Sequence, residues 1–190
     1  MSYAKLYQPT KKLHSTIYNA TLILSASLLI AISAHISIPI PFSPVPITGQ
    51  TFTVLLVGAV LGKRRGVAAV VLYLAEGALG FPVFAGAKGG FAALLGPTGG
   101  YLAGFVASAY LVAHLIERGW DRRLWTSALA MVLGNLLIYL CGLTWLSVFV
   151  SRGQVLALGL MPFLVGDGLK ILLASGLLAI SGTLKPEVGN

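Results

Sequence analysis

The chain has 190 residues, 57% of them hydrophobic and only 9% charged, with a formal net charge of +8. So little polar surface cannot cover a soluble globule of this size, which leaves an integral membrane protein. The positive charge sits in short lysine and arginine clusters with no nucleic-acid module around them, so membrane lipid is an expected partner and nucleic acid is not.

Residues 1–15 are polar and read as a cytoplasmic leader. The first apolar run, Thr16–Ile36, exceeds the ~7–15 residues of a signal-peptide hydrophobic region and reads as a retained helix. Runs at Thr51–Leu61, Gly66–Phe81, Gly99–Ile116, Leu124–Val150 and Pro162–Ser181 follow. Together they predict an all-α integral membrane protein of six transmembrane helices, a single domain over residues 16–183 with a cytoplasmic tail at 184–190. The second and third runs are short against the ~20 residues a helix needs to cross, so four spans with a re-entrant pair at 48–81 is the alternative.

The basic residues set the orientation. Lys5, Lys11, Lys12, the Lys63–Arg65 triplet, Arg118, Arg122, Arg123 and Lys185 fall at alternate ends of the six spans, while only Lys88 and Arg152 fall in the opposite loops. The positive-inside rule then puts both termini in the cytoplasm and favours six spans over four.

The outward loops carry the unusual sequence. Between the first two spans, Ile38–Thr48 alternates proline with apolar residues, which removes backbone donors, fixes φ and predicts a rigid extended strip. Gly80–Tyr101 is dense in glycine yet holds Phe81, Val83, Phe84, Phe91, Leu94 and Leu95, too apolar for a solvated tether. It reads as an ordered outward loop that caps a ligand pocket, since irregular backbone at membrane depth is tolerated where it lines a cavity. Small residues at four-residue spacing (Gly58 and Gly62; Gly100, Gly104 and Ser108; Ala130 and Gly134) predict close helix packing.

Asp167 and Lys170 stand three residues apart in the last span, on one face of a helix. Each charge would cost roughly 2.5–3.5 kcal/mol at a membrane centre, so something must compensate it. Starting the helix at Pro162 places Asp167 about five residues, or ~8 Å, inside the outer end. Gln50, Tyr101, Lys88 and Arg152 belong to the same outward half, and Glu76 either faces that space or is a structural carboxylate. Asn135, mid-span, is expected to make an interhelical hydrogen bond. The lone cysteine, Cys141, and the scattered His14, His35 and His114 suggest neither a disulfide nor a metal site.

No phosphate-binding loop occurs, because Gly86-Ala87-Lys88-Gly89-Gly90 lacks both its spacing and its hydroxyl residue. Nor is there a nucleophile-elbow or zinc-protease motif, so an enzyme is not expected, nor is a cofactor.

The proline strip Pro39–Thr48, Phe81-Pro82-Val83-Phe84-Ala85-Gly86, Gly89-Gly90, Gly96-Pro97-Thr98-Gly99-Gly100-Tyr101 and Gly166-Asp167-x-x-Lys170 resemble the BioY family, over roughly residues 16–182. Those proteins are the biotin-specific S components of energy-coupling factor (ECF) transporters. The resemblance implies a membrane subunit of the prokaryotic cytoplasmic membrane that captures biotin from outside. It would deliver the vitamin inward with a transmembrane T component and two ATPase subunits. It also implies that Asp167 and Lys170 line the biotin site and that the loop at 84–90, with Phe84, Gly86, Gly89 and Gly90, closes over it; Gln50 and Tyr101 complete the expected site. S components commonly carry Ala-x-x-x-Ala in the first helix at the contact with the T component, where this chain has Ser27 and Ala31. A stand-alone vitamin facilitator and an intramembrane transferase using Asp167 or Glu76 as base are the rival readings.

Overall fold

The structure, a computed structural model, describes residues 12–183. The expected tail and most of the leader lie outside the described residues. In lipid every backbone polar group must be satisfied within the protein, so the apolar runs fold as helices. Helix α1 covers Lys12–His35, so the last leader residues are already helical. A two-residue ladder, β1 (Ser37–Ile38) with β2 (Ile47–Thr48), precedes α2 (Gln50–Ala78). The short α3 (Phe91–Leu94), α4 (Gly99–Glu117), α5 (Leu124–Leu146), the short α6 (Val155–Gly159) and α7 (Leu164–Thr183) follow. Four helical stretches are long and apolar enough to cross a membrane: Leu13–His35, Gly99–Glu117, Leu124–Leu146 and Arg152–Leu178.

The second and third expected spans are the two limbs of α2. The chain reverses at Gly62 alone, whose φ of 79° and ψ of 177° fall in a region essentially restricted to glycine. Lys63–Arg65, expected as a connector, is already helical. The limbs lie antiparallel: a Cβ on Gly66 would sit 3.0 Å from the backbone of Gly58 and Val57, and Gln50 reaches Tyr73 across the hairpin.

The small-residue stripes are packing surfaces. A Cβ on Gly58 would strike the backbone of Ala109, one on Gly100 would strike Trp145, and one on Gly134 would meet Val112, Leu55 and Ser108. Their absence lets α2, α4 and α5 approach closely, as dispersion-driven packing in lipid requires. Ser27 and Ala31 also face inward: both are buried, and Ser27 donates to Glu76 Oε2 at 2.5 Å. The exposed face of α1 is instead Leu24, Leu28, Leu29 and Ile32.

The molecule has two unlike ends. At one, Lys63 pairs with Glu117 at 3.2 Å, Arg65 lies over the Tyr18 ring, and Ala174 and Leu178 of α7 pack with Leu115, Ile116 and Trp120. Both ends of the described chain therefore lie here, with the basic connectors. At the other end are the proline loop, the glycine-rich segment and residues 147–163. The proline strip is not extended as expected: Ser43 N–H donates to the Ile40 carbonyl in a turn at Pro41-Phe42, and the β1–β2 ladder closes its ends. The strip is a closed hairpin loop because both its ends must meet helices on the same side of the bundle.

Candidate ligand-binding site

A cavity of about 280 Å³ opens between these loops and the adjoining ends of α2, α4, α5 and α7. Its walls are mostly apolar, from Val45, Phe84, Leu102, Phe105, Ile138 and Phe163. Polar groups reach it from Thr48, Gln50, Thr51, Lys88, Thr98, Tyr101, Tyr139, Asp167 and Lys170. Such a mixture suits a small, largely apolar ligand held by a few placed polar contacts, and the volume lies near the lower edge of the roughly 300–1,000 Å³ common for such sites.

The charged pair forms the polar wall. Pro162 lies in a 3-10 turn, Met161–Phe163, rather than starting the helix, so α7 begins at Leu164 and Asp167 falls in its first turn. A carboxylate is favoured there by the helix dipole. Lys170 Nζ donates to Asp167 Oδ1 at 2.9 Å, to the Thr48 carbonyl at 2.7 Å and to Thr51 Oγ1 at 3.1 Å. On the other carboxylate oxygen, Asp167 Oδ2 accepts from Asn135 Nδ2 at 3.0 Å and from the Tyr139 hydroxyl at 2.5 Å. Four elements converge on two charges, and this network compensates their removal from water.

Five of the eight expected site residues line this cavity: Asp167, Lys170, Phe84, Gln50 and Tyr101. Gly86, Gly89 and Gly90 do not; they shape the loop behind it. Gly86 (φ 72°) and Ala87 (φ 55°) turn the chain between Phe84 and Lys88, which are joined by a hydrogen bond from Phe84 N–H to the Lys88 carbonyl. Gly89 lies on the backbone of Gly80 and Phe81, where any Cβ would clash, and Gly90 N–H donates to the Gly77 carbonyl at 2.7 Å. The Phe84 ring fills the notch left by the missing side chain of Gly77 and meets Tyr73 edge-on.

Tyr101 is held by a hydrogen bond to the Gly159 carbonyl at 2.8 Å and by the bare backbone of Gly142, which leaves room for its ring. Arg152 and Glu76 do not line the cavity. Asn135 makes the expected interhelical bond, and its partner is Asp167. Gly166 and Gly168 face open space. The sequence reading missed Thr48, Thr51, Tyr73 and Tyr139. Tyr139 was detectable in principle, because it lies one helical turn after Asn135 and a tyrosine within an apolar span needs a partner for its hydroxyl.

The sequence profile of the BioY family matches residues 8–185. The chain is 42% identical over 142 residues to a protein of Pyrococcus horikoshii named probable biotin transporter BioY, covering 75% of this chain and 82% of that one. It is 41% identical over 148 residues to the biotin transporter BioY of Thermotoga maritima, covering 77% and 85% respectively. Its fold is similar to the crystal structure of the S-component for biotin from an ECF-type ABC transporter, with a TM-score of 0.78 and 26% identity, over 92% of this chain and 95% of that one. With a family match spanning nearly the whole chain, relatives above 40% identity and a shared fold, this multi-pass membrane protein belongs to the BioY family.

Proposed function

We propose that this chain is the biotin-capturing membrane subunit of an ECF transporter. It takes biotin from the outside of the prokaryotic cytoplasmic membrane and delivers it inward with an energising module of a T component and two ATPases. In this reading all six long helical segments cross the membrane, with the basic end and both termini in the cytoplasm. The observation that carries it is the largely apolar cavity at the end opposite the basic connectors, with a charged, hydrogen-bonded network in one wall. Biotin has an apolar bicyclic body, a ureido group with two N–H donors and a strong acceptor, and an anionic side chain, a combination that suits such a site.

The two lysines suit different ends of the ligand. Every N–H of the Lys170 ammonium is already engaged, so this residue and Asp167 form a polar wall for the ureido ring. Lys88, on the glycine-rich loop, has no carboxylate partner among the described residues and is available to the anionic side chain. The relatives named as biotin transporters and the fold shared with a biotin S-component support the same ligand. Since Ser27 and Ala31 are buried, docking on a T component would use the exposed leucine face of α1.

The test is equilibrium binding of biotin to the purified, detergent-solubilised chain, with Asp167→Asn and Lys170→Ala alongside. Tight binding by the wild type and its loss in both variants is expected. A folded wild type that binds no biotin would overturn the ligand assignment, and a Lys170→Ala protein with full affinity would remove the pair from the site.

A further inference from the structure

Tyr73 lies in the second limb of α2, is fully buried and does not line the cavity. Its ring meets Phe84 edge-on, with 5.5 Å between centroids and 83° between planes. Its hydroxyl makes two hydrogen bonds, one to the Val83 carbonyl of the glycine-rich loop at 3.2 Å and one with Gln50 Nε2 at 2.6 Å. Chemistry fixes the direction of both. A carbonyl can only accept, so the single phenolic hydrogen goes to Val83, and the phenol oxygen must then accept from Gln50. Turned end for end, the Gln50 amide would set its carbonyl oxygen against an oxygen with no hydrogen left to give. The relay therefore runs from Gln50 N–H to the Tyr73 hydroxyl and on to the Val83 carbonyl. It leaves Oε1 of Gln50, a buried residue that lines the cavity, as an acceptor with no protein donor among the described residues.

We infer that Tyr73 is a specificity-determining positioning residue. By committing its one hydrogen to the loop, it holds the Gln50 amide so that its carbonyl oxygen reads an N–H donor on the ligand. This rests on the biotin reading above and assigns Gln50 to one of the two ureido N–H groups. A site whose buried acceptor expects an N–H rejects an isosteric ligand lacking it, because the acceptor is then left unpaired. The same relay ties the orientation of Gln50 to the loop that carries Phe84 and Lys88, so recognition of the ring and placement of the loop share one hydroxyl.

The experiment measures binding of biotin and of the two cyclic carbamates in which a ring oxygen replaces one or the other ureido N–H. The proteins are the wild type, Tyr73→Phe, Gln50→Met and the double variant. The wild type should prefer biotin to one of the carbamates by about tenfold or more. Tyr73→Phe keeps the ring contact with Phe84, and it should weaken biotin binding by about tenfold and shrink that preference. Gln50→Met should abolish the preference, and adding Tyr73→Phe to it should change little further, since residues acting through one another are not additive. If Tyr73→Phe weakens biotin and the carbamates equally, or by the same factor in the Gln50→Met background, Tyr73 acts through the loop or the fold and the inference fails. Should Tyr73→Phe not fold, Gln50→Met decides alone: an unchanged preference for biotin would overturn the inference. A wild type that binds no biotin would instead overturn the ligand reading, and this inference with it.

Discussion

A lysine ammonium has three N–H groups, and Lys170 uses them on a carboxylate, a hydroxyl and a carbonyl from three different segments. The Asp167 side chain is 7% exposed and that of Lys170 20%, so neither charge is well solvated. Removing one member of a buried pair costs about 3–5 kcal/mol, because the other charge is left without a partner, whereas replacing both with apolar groups of similar size is often neutral. Asp167→Ala should therefore lower the thermal stability of the solubilised protein markedly, by somewhat less than that range given the exposure of Lys170. The double variant Asp167→Leu/Lys170→Met should recover most of the loss while binding no biotin. A denaturation midpoint for the double variant as low as for Asp167→Ala would show that the pair is not the source of the loss. At this scale the spacing of Asp167 and Lys170 was legible, because two charges in an apolar run announce themselves. Of their partners, Asn135 was expected to bond between helices and Tyr139 could have been found from it, but Thr48 contributes only a backbone carbonyl and Thr51 is unremarkable in an amphipathic reading.

The glycine-rich segment is held as an element by a side chain that is missing. Phe84 sits where a Cβ on Gly77 would be, with Tyr73 against its edge and Gly90 bonded to the Gly77 carbonyl. Gly77→Leu would fill the notch, and small-to-large changes at a packed site cost about 1–3 kcal/mol. Because the notch lies under the loop rather than in the α2–α4 contact, the expected outcome is local. Limited proteolysis should cut the 80–90 segment faster and biotin should dissociate faster, with helix content by circular dichroism unchanged. A protein that loses helicity along with the loop would mean that the notch supports the bundle. The loop's ordered, apolar character could be read from its phenylalanines, but not its anchoring, since nothing in the sequence pairs Gly77 with Phe84. Likewise the two short apolar runs gave the limbs of α2, while their joining through Gly62 alone depends on one backbone conformation that composition does not encode. The short helices α3 and α6 were illegible for a related reason: they are too brief to carry a hydrophobic period.

Across the whole molecule, the arrangement of charge and the hairpin in α2 bear on a single question, which is where the second and third helical segments end. If residues 48–81 were re-entrant, the Lys63–Arg65 turn would stay on the outward side. In the structure that turn lies at the far end of the bundle from the cavity, where Lys63 pairs with Glu117 at the close of α4. A lysine and two arginines there would be costly anywhere but at a headgroup layer, and the positive-inside rule predicts that this layer is the cytoplasmic one. With Cys141 replaced by serine, single cysteines at Arg64 and Arg152 can be probed in intact cells with a membrane-impermeant maleimide. Both positions are exposed, so reactivity reports sidedness rather than burial. Position 152 should label from outside, and position 64 only after the membrane is permeabilised. Labelling of both from outside would restore the re-entrant arrangement. The reverse pattern would invert the orientation and put the cavity on the cytoplasmic side, where it could not capture a vitamin arriving from outside.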